Sequence, residues 1–276
     1  VRLRRYDMKF SDSSTARTYS DRFTDNSWLE WCRKVLKPTG KDVVDVGCGG
    51  GIYSKGFVLC GAKSVLGIDS SEQYIEEAGN FCPDADFQVA QCECIGIESE
   101  SADIVFERAL IHHLDPDQLL ANAEEIIRIL RRGGLAVVQD RTLENAMSQD
   151  DTYWLRRELM NMFPRLIDFE AKRRPCVADY SQTLLNAGFT CVEVTIFSEI
   201  RKRYASKEQF DEELAQRKGK SILFRLSDDE LRKYRARIMD LCPNDSIVEC
   251  DQWTIWTGKK SIQQGGAPDA YGAGDL

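Results

Sequence analysis

A chain of 276 residues, 42% of them hydrophobic, is long enough for one large α/β domain or for a domain that carries a cap. Its formal charge of −8 argues against nucleic acid as a partner, because a general nucleic-acid surface would show a basic face. The ten cysteines include no CxxC pair, and Cys92-x-Cys94 is not a zinc-ligand pattern. No metal is therefore expected, and the thiols read as reduced core residues of a cytoplasmic protein. No apolar run approaches a membrane span, and the basic start Val1-Arg2-Leu3-Arg4-Arg5 lacks the apolar core of a signal peptide.

Residues 1–40 read as an N-terminal helical lid segment, polar at first, with isolated aromatics such as Phe10, Tyr19 and Phe23. Asn26 or Ser27 caps a helix over 28–36, whose Trp28, Leu29, Cys32 and Leu36 share one stripe. Then comes Val43-Val44-Asp45-Val46-Gly47-Cys48-Gly49-Gly50-Gly51, an apolar run that ends in an acid and a glycine loop. The run suits a strand buried on both faces, and the glycines let the backbone turn tightly and approach a ligand.

A helix over 53–60 closes at Gly61, and a second buried strand over 64–68 ends at Asp69. Ser70 or Ser71 caps the next helix, which Pro83 stops. A third strand is expected over 87–90 and a fourth over 103–106, leading into Arg108-Ala109-Leu110-Ile111-His112-His113-Leu114. Asp115-Pro116 opens a long helix with Arg131 and Arg132 in its last turn and Gly133-Gly134 after it, followed by a fifth strand over 135–138.

The second half changes texture. Residues 141–177 are rich in charge and aromatics, and 205–242 hold two helices, the second with a Ser227/Glu230 capping box. Both segments read as cap insertions in a domain spanning 41–260. A helix over 177–187, a long strand over 189–200 and a last alternating strand over 247–257 complete the domain, and 261–276 reads as a disordered tail. Strand–helix alternation of this kind implies right-handed crossovers and a doubly wound α/β sheet of seven strands, mostly parallel with an antiparallel last strand. Ligands then sit beyond the carboxyl ends of the strands.

The glycines stand as G-x-G-x-G at Gly47, Gly49 and Gly51, with Ile52 where a dinucleotide fold places its third glycine. Ile52-Tyr53 also lacks the Lys-Ser/Thr pair of a phosphate loop. Asp45 before the loop would repel a pyrophosphate and suits a ligand that presents a cation.

With these residues the chain resembles the class I S-adenosylmethionine-dependent methyltransferases, and within them the small-molecule branch that includes ubiquinone-biosynthesis enzymes. The resemblance spans about residues 40–140 and implies a Rossmann-like fold. Asp45, Gly47, Cys48, Gly49 and Gly51 look like the first motif, whose loop holds the methionine part of the cofactor. Asp69, followed by Ser70, matches the acid that takes both ribose hydroxyls, a task that suits a carboxylate. Gln91, Cys92 and Glu93 line up with the segment that meets the adenine. Gln91 stands where an aspartate is usual, and its carbonyl can still accept from the amino group. Residues 101–114, including Arg108, are similar to the fourth motif, which runs beside the cofactor toward the substrate.

Several assignments stay two-sided on sequence. Asp69 either binds ribose or caps a helix, and Tyr19 either closes over the cofactor or lies on the surface. His113 and His112 serve either as a general base, a role open to Asp140 by its chemistry as well, or as packing. Arg141, Arg156, Arg157, Arg173 and Arg174 either recognise an anionic acceptor or form a solvated cap face. The resemblance implies methyl transfer from S-adenosyl-L-methionine to a small-molecule acceptor, with S-adenosylhomocysteine as product, by a monomer or homodimer. An RNA or protein methyltransferase and a catalytically silent cofactor-binding protein are the alternatives.

Overall fold

The computed structural model describes residues 24–242 and 247–262, so Tyr19 and the tail from residue 263 lie outside the described residues. Seven strands form one sheet: β1 (Asp42–Val46), β2 (Ser64–Asp69), β3 (Asp86–Val89), β4 (Ala102–Arg108), β5 (Leu130–Asp140), β6 (Thr190–Tyr204) and β7 (Ile247–Lys259). Their order is β3-β2-β1-β4-β5-β7-β6. Neighbours from β3 through β5 pair in parallel, while β7 runs antiparallel to both β5 and β6. The sheet is thus the doubly wound one expected, and its winding reverses between β1 and β4, where such folds open a ligand crevice.

The helices are α1 (Asn26–Trp31), α2 (Ile52–Leu59), α3 (Glu72–Phe81), α4 (Pro116–Ile129), α5 (Leu143–Ala146), α6 (Trp154–Met162), α7 (Arg165–Arg173), α8 (Val177–Asn186), α9 (Lys207–Ala215) and α10 (Asp228–Leu241). One sheet face packs Val44, Val105 and Val138 against Ile126 of α4 and Leu184 of α8. The other packs Val43, Ile104 and Phe106 against Trp28 of α1 and Phe57 of α2. A third apolar cluster draws Leu159, Leu166, Phe210, Leu214, Tyr234 and Ile238 together. The two inserted segments therefore share one core of their own.

Local chemistry moves three boundaries. Asp25, not Asn26 or Ser27, caps α1, accepting from the Ser27 N–H at 2.9 Å. The helix then widens into a π turn over Cys32–Leu36 and ends at Lys37, whose φ is 50°. Arg131 and Arg132 belong to β5 rather than to the end of α4, because the chain becomes extended at Leu130. Arg131 finds a stronger partner than a helix terminus there, since its guanidinium reaches Asp42 at 2.8 Å and Asp103 at 3.0 Å, tying the starts of β1 and β4 to β5. The late strands are longer than predicted because they pair along most of their length.

Glu107 of β4 is fully buried and accepts from the Asn122 carboxamide of α4 at 2.9 Å. Burial pushes its carboxyl up to about 8, so it is protonated near neutrality. Its second oxygen and the Asn122 carbonyl both lack partners, and the acid proton is the donor that would satisfy the pair. A folded-state value raised from 4.5 means stability that is complete below about 4.5 and is lost as pH rises through about 8. Glu107→Gln keeps the shape and both bonds without the titration. The variant should therefore lose several degrees less than the parent in Tm between pH 5 and pH 8, measured by calorimetry. An identical pH dependence would show that Glu107 is already ionised in the fold.

Candidate active site

The carboxyl ends of β1, β2, β3 and β4 and the cap segments enclose a cavity of about 920 Å³. Gly47, Cys48, Gly49 and Gly50 form one wall. The Gly47 and Cys48 N–H groups donate to the Ile68 carbonyl at 2.8 and 2.9 Å, which pins the loop to β2. Added Cβ atoms at Gly49 and Gly50 would meet nothing within 4 Å, so the loop borders open space there.

Asp69 lines this wall and accepts from the Gly49 N–H at 2.9 Å and the Ser71 N–H at 3.0 Å. Burial raises its pKa, while the backbone donors of Ser71, Gly49 and Ser70 oppose the shift. The carboxylate thus braces the loop while facing the cavity. Helix capping falls instead to Ser71, whose hydroxyl accepts from the Tyr74 N–H at 3.3 Å, and Ser70 is a lining residue.

Two predicted residues sit behind the wall. Asp45 is buried, accepts from the Ser54 hydroxyl at 2.6 Å and is not among the lining residues. Burial pushes its carboxyl up to about 7, and the Ser54 bond works against that. Gly51 is also absent from the lining. Its φ is 78°, and a Cβ there would stand 3.1 Å from Ala78 and 3.2 Å from Phe87, so it seats α2 against α3.

Gln91, Cys92 and Glu93 line the cavity beyond β3. Glu93 accepts from the Gln118 carboxamide at 2.7 Å. Arg108, at the end of β4, pairs with buried Glu199 of β6 at 2.9 Å. Its guanidinium lies 3.9 Å from the Trp253 ring centroid and 4.4 Å from that of Tyr53. Glu199 also accepts from Tyr53 and, at 2.8 Å, from Gln139, so one buried carboxylate gathers α2, β4 and β5 under the floor.

His112 is buried with Nδ1 2.9 Å from both Asp140 oxygens. Burial pulls the ring down to about 4, against the attraction of Asp140 and with the help of Arg174. Asp140 is held well below the usual carboxylate range by His112 and Arg174, which overcome its burial. A neutral ring beside an ionised, acceptor-only carboxylate must carry its proton on Nδ1, so Nε2 keeps a lone pair. His113 is exposed in the cavity wall, its ring centroid 4.0 Å from that of His112.

Four of the five predicted arginines, Arg141, Arg156, Arg173 and Arg174, line the cavity rather than a solvated face. Arg157 does not. It pairs with exposed Asp151 at 2.7 Å. Sequence reasoning missed Arg201, Lys220, Asp251 and Trp253, which complete the far wall. A signal was present in the ionisable residues at alternating positions within the late strands: Glu199 and Arg201, then Glu249 and Asp251. Among the described residues no cluster of His, Cys, Asp and Glu could hold a metal ion. No described helix is long and apolar enough to cross a membrane.

A family model for a methyltransferase domain matches residues 43–134. A ubiquinone biosynthesis O-methyltransferase from Coxiella burnetii is 33% identical over 105 residues, covering 36% of this chain and 44% of that protein. A tRNA (carboxymethyluridine(34)-5-O)-methyltransferase from Macaca fascicularis is 29% identical over 122 residues, covering 43% of this chain and 17% of that one. The chain thus spans less than half the length of these curated relatives. A Haemonchus contortus phosphoethanolamine N-methyltransferase, solved with phosphomonomethylethanolamine and S-adenosylhomocysteine, shares the fold with a TM-score of 0.58. It is 16% identical, over 92% of this chain and 59% of that one. With the glycine loop, the acid ending β2 and the order of the sheet, the domain match makes residues 43–134 a methyltransferase domain of the class I S-adenosylmethionine-dependent family.

Proposed function

We propose that the chain transfers a methyl group from S-adenosylmethionine to a small-molecule acceptor and releases S-adenosylhomocysteine. The observation that carries the small-molecule reading is the placement of the cations. They line an interior cavity among buried carboxylates, whereas tracking a nucleic-acid backbone needs them on an open face. Similarity to both a ubiquinone-biosynthesis enzyme and a tRNA-modifying enzyme leaves the acceptor to be decided by that cavity.

The residues present fit the donor. Open space over Gly49 and Gly50 admits a ligand against the backbone, Asp69 offers a braced carboxylate for the ribose hydroxyls, and the Gln91 carbonyl suits the adenine amino group. Bound there, the donor supplies a methyl group already made electrophilic by its sulfonium. The protein then has to align the nucleophile, exclude water and accept a proton where the nucleophile carries one. His112 is positioned for the last task, with Asp140 fixing its tautomer and Nε2 left as acceptor. A ring held near 4 stays neutral across the physiological range, so this base is present at all working pH values but is weak.

Calorimetric titration with S-adenosylhomocysteine tests the donor site. Wild type should bind, and Asp69→Asn should bind about tenfold more weakly or worse, the usual cost of losing charge-assisted bonds. Absence of binding by the folded wild-type protein would sink the reading. For the base, acceptor turnover can be followed with a labelled methyl donor, the acceptor having been found by labelling a metabolite extract. His112→Ala should lower kcat by about a hundredfold with cofactor affinity retained, and His113→Ala should change it by less than about threefold. The reverse ranking would move the role to His113.

A further inference from the structure

The end of the cavity away from the glycine loop holds more positive charge than its carboxylates offset. Arg141, Arg156, Arg173, Arg174, Arg201 and Lys220 line it, with no side chain among them more than 14% exposed. Four buried carboxylates answer these six cations. Arg173 and Arg174 are balanced by Glu170 and Asp140. Asp251, however, carries both Arg141 and Arg156, and Glu249 carries both Arg201 and Lys220, the latter at 2.7 Å. Two positive charges are left in excess, both around β7.

The packing around these cations also leaves some of their donors unpaired. The Nε–H groups of Arg141, Arg156 and Arg201 and the indole N–H of Trp253 are buried with no acceptor. Buried donors in a folded protein normally have partners, and each one left bare is costly. Gly219 lets a loop close directly over the Arg201 guanidinium, since its φ is 63° and any Cβ would collide with that group. Burial, with repulsion from neighbouring cations, pulls Arg141 down to about 9 and Lys220 to about 8, although carboxylates pull the other way.

We infer that this end of the cavity binds a dianionic group of the acceptor, a phosphate monoester, held by Arg141, Arg156, Arg201 and Lys220. A charge of about −2 matches the excess, and three strong acceptor oxygens suit the guanidinium and ammonium groups that line the cavity. Assigning the anion to the acceptor rests on the methyl-transfer reading, while the anion site itself does not.

The probe is inorganic phosphate, titrated calorimetrically into the full chain at about pH 7.5 in chloride buffer of fixed ionic strength. Wild type should bind it saturably at one site. The double variant Arg156→Met/Lys220→Met leaves Asp251 with Arg141 and Glu249 with Arg201. It should bind phosphate about tenfold more weakly or worse while keeping its affinity for S-adenosylhomocysteine. If the double variant does not fold, Arg156→Met alone is read in the same way. No saturable binding by wild type, or equal binding by a folded variant, would overturn the inference. Tighter binding of malonate than of phosphate would overturn the phosphate ester in favour of a dicarboxylate. Loss of S-adenosylhomocysteine binding by wild type with phosphate binding intact would sink the methyl-transfer reading and leave the anion site standing.

Discussion

The site depends on a set of buried carboxylates that hold cations in place. Glu199 and Asp251 stand directly opposite each other in the β6–β7 ladder, an arrangement that repels unless each carboxylate is neutralised. Arg108 neutralises the first and Arg141 the second, and both guanidinium groups lie on the Trp253 ring, at 3.9 and 3.6 Å from its centroid. Desolvating such pairs costs nearly as much as their attraction returns, so they add little net stability. What they fix is position. Removing any one acid would leave a bare buried cation, which makes the arrangement hard to vary piecemeal.

The same pairs connect the cap to the sheet. Asp140 at the end of β5 reaches Arg174 at 3.1 Å, and Arg174 in turn holds Glu170 of α7. Asp251 of β7 is 3.7 Å from Arg156 of α6. The cap has an apolar core of its own, but beside the cavity it meets the sheet through ions. An apolar seam there would leave nothing to recognise a polar ligand. An ionic one keeps charged groups at fixed places around a space that a ligand can fill. It also links recognition to chemistry. Arg174 and Arg173 help to hold His112 low, so an anion seated among the cap cations would offset their repulsion and raise the proton affinity of the imidazole.

What the sequence revealed follows from the range of the interactions involved. The glycine loop, the acids at the ends of β1 and β2 and the alternation of strands and helices are local signals, and the sheet order and the lining by Gly47, Gly49 and Asp69 agree with them. Asp45 shows the limit of that locality. Adjacency to the loop suggested a ligand contact, but strand parity turns its side chain inward to Ser54. Arg131 illustrates another limit, because two acids from distant strands compete with a helix terminus for it and only the fold brings them within reach. The cap arginines were visible as a crowd, yet whether they faced water or a cavity depended on Asp140, Glu170 and Asp251, from three separate stretches of chain.

The extent of the family match sharpens the division of labour. It ends at residue 134, and all six cap-side cations of the cavity, from Arg141 to Lys220, come after it. The cavity-lining residues proposed to meet the donor, from Gly47 to Glu93, fall inside it. His112 sits inside the matched domain, while the groups that set its proton affinity, Asp140, Arg173 and Arg174, sit outside. The shared domain thus contributes a cradle and an imidazole, which many acceptors could use. The later segments contribute the charge around the cavity, which on the proposed reading determines the acceptor, and the groups that set the imidazole's proton affinity. On that reading, selectivity falls to Arg141, Arg156, Arg201 and Lys220, and base strength to their neighbours Arg173 and Arg174. The two sets line one cavity, so an anion held by the first would weaken the repulsion that the second exerts on His112, and a change in the acceptor's charge would reach the imidazole as well.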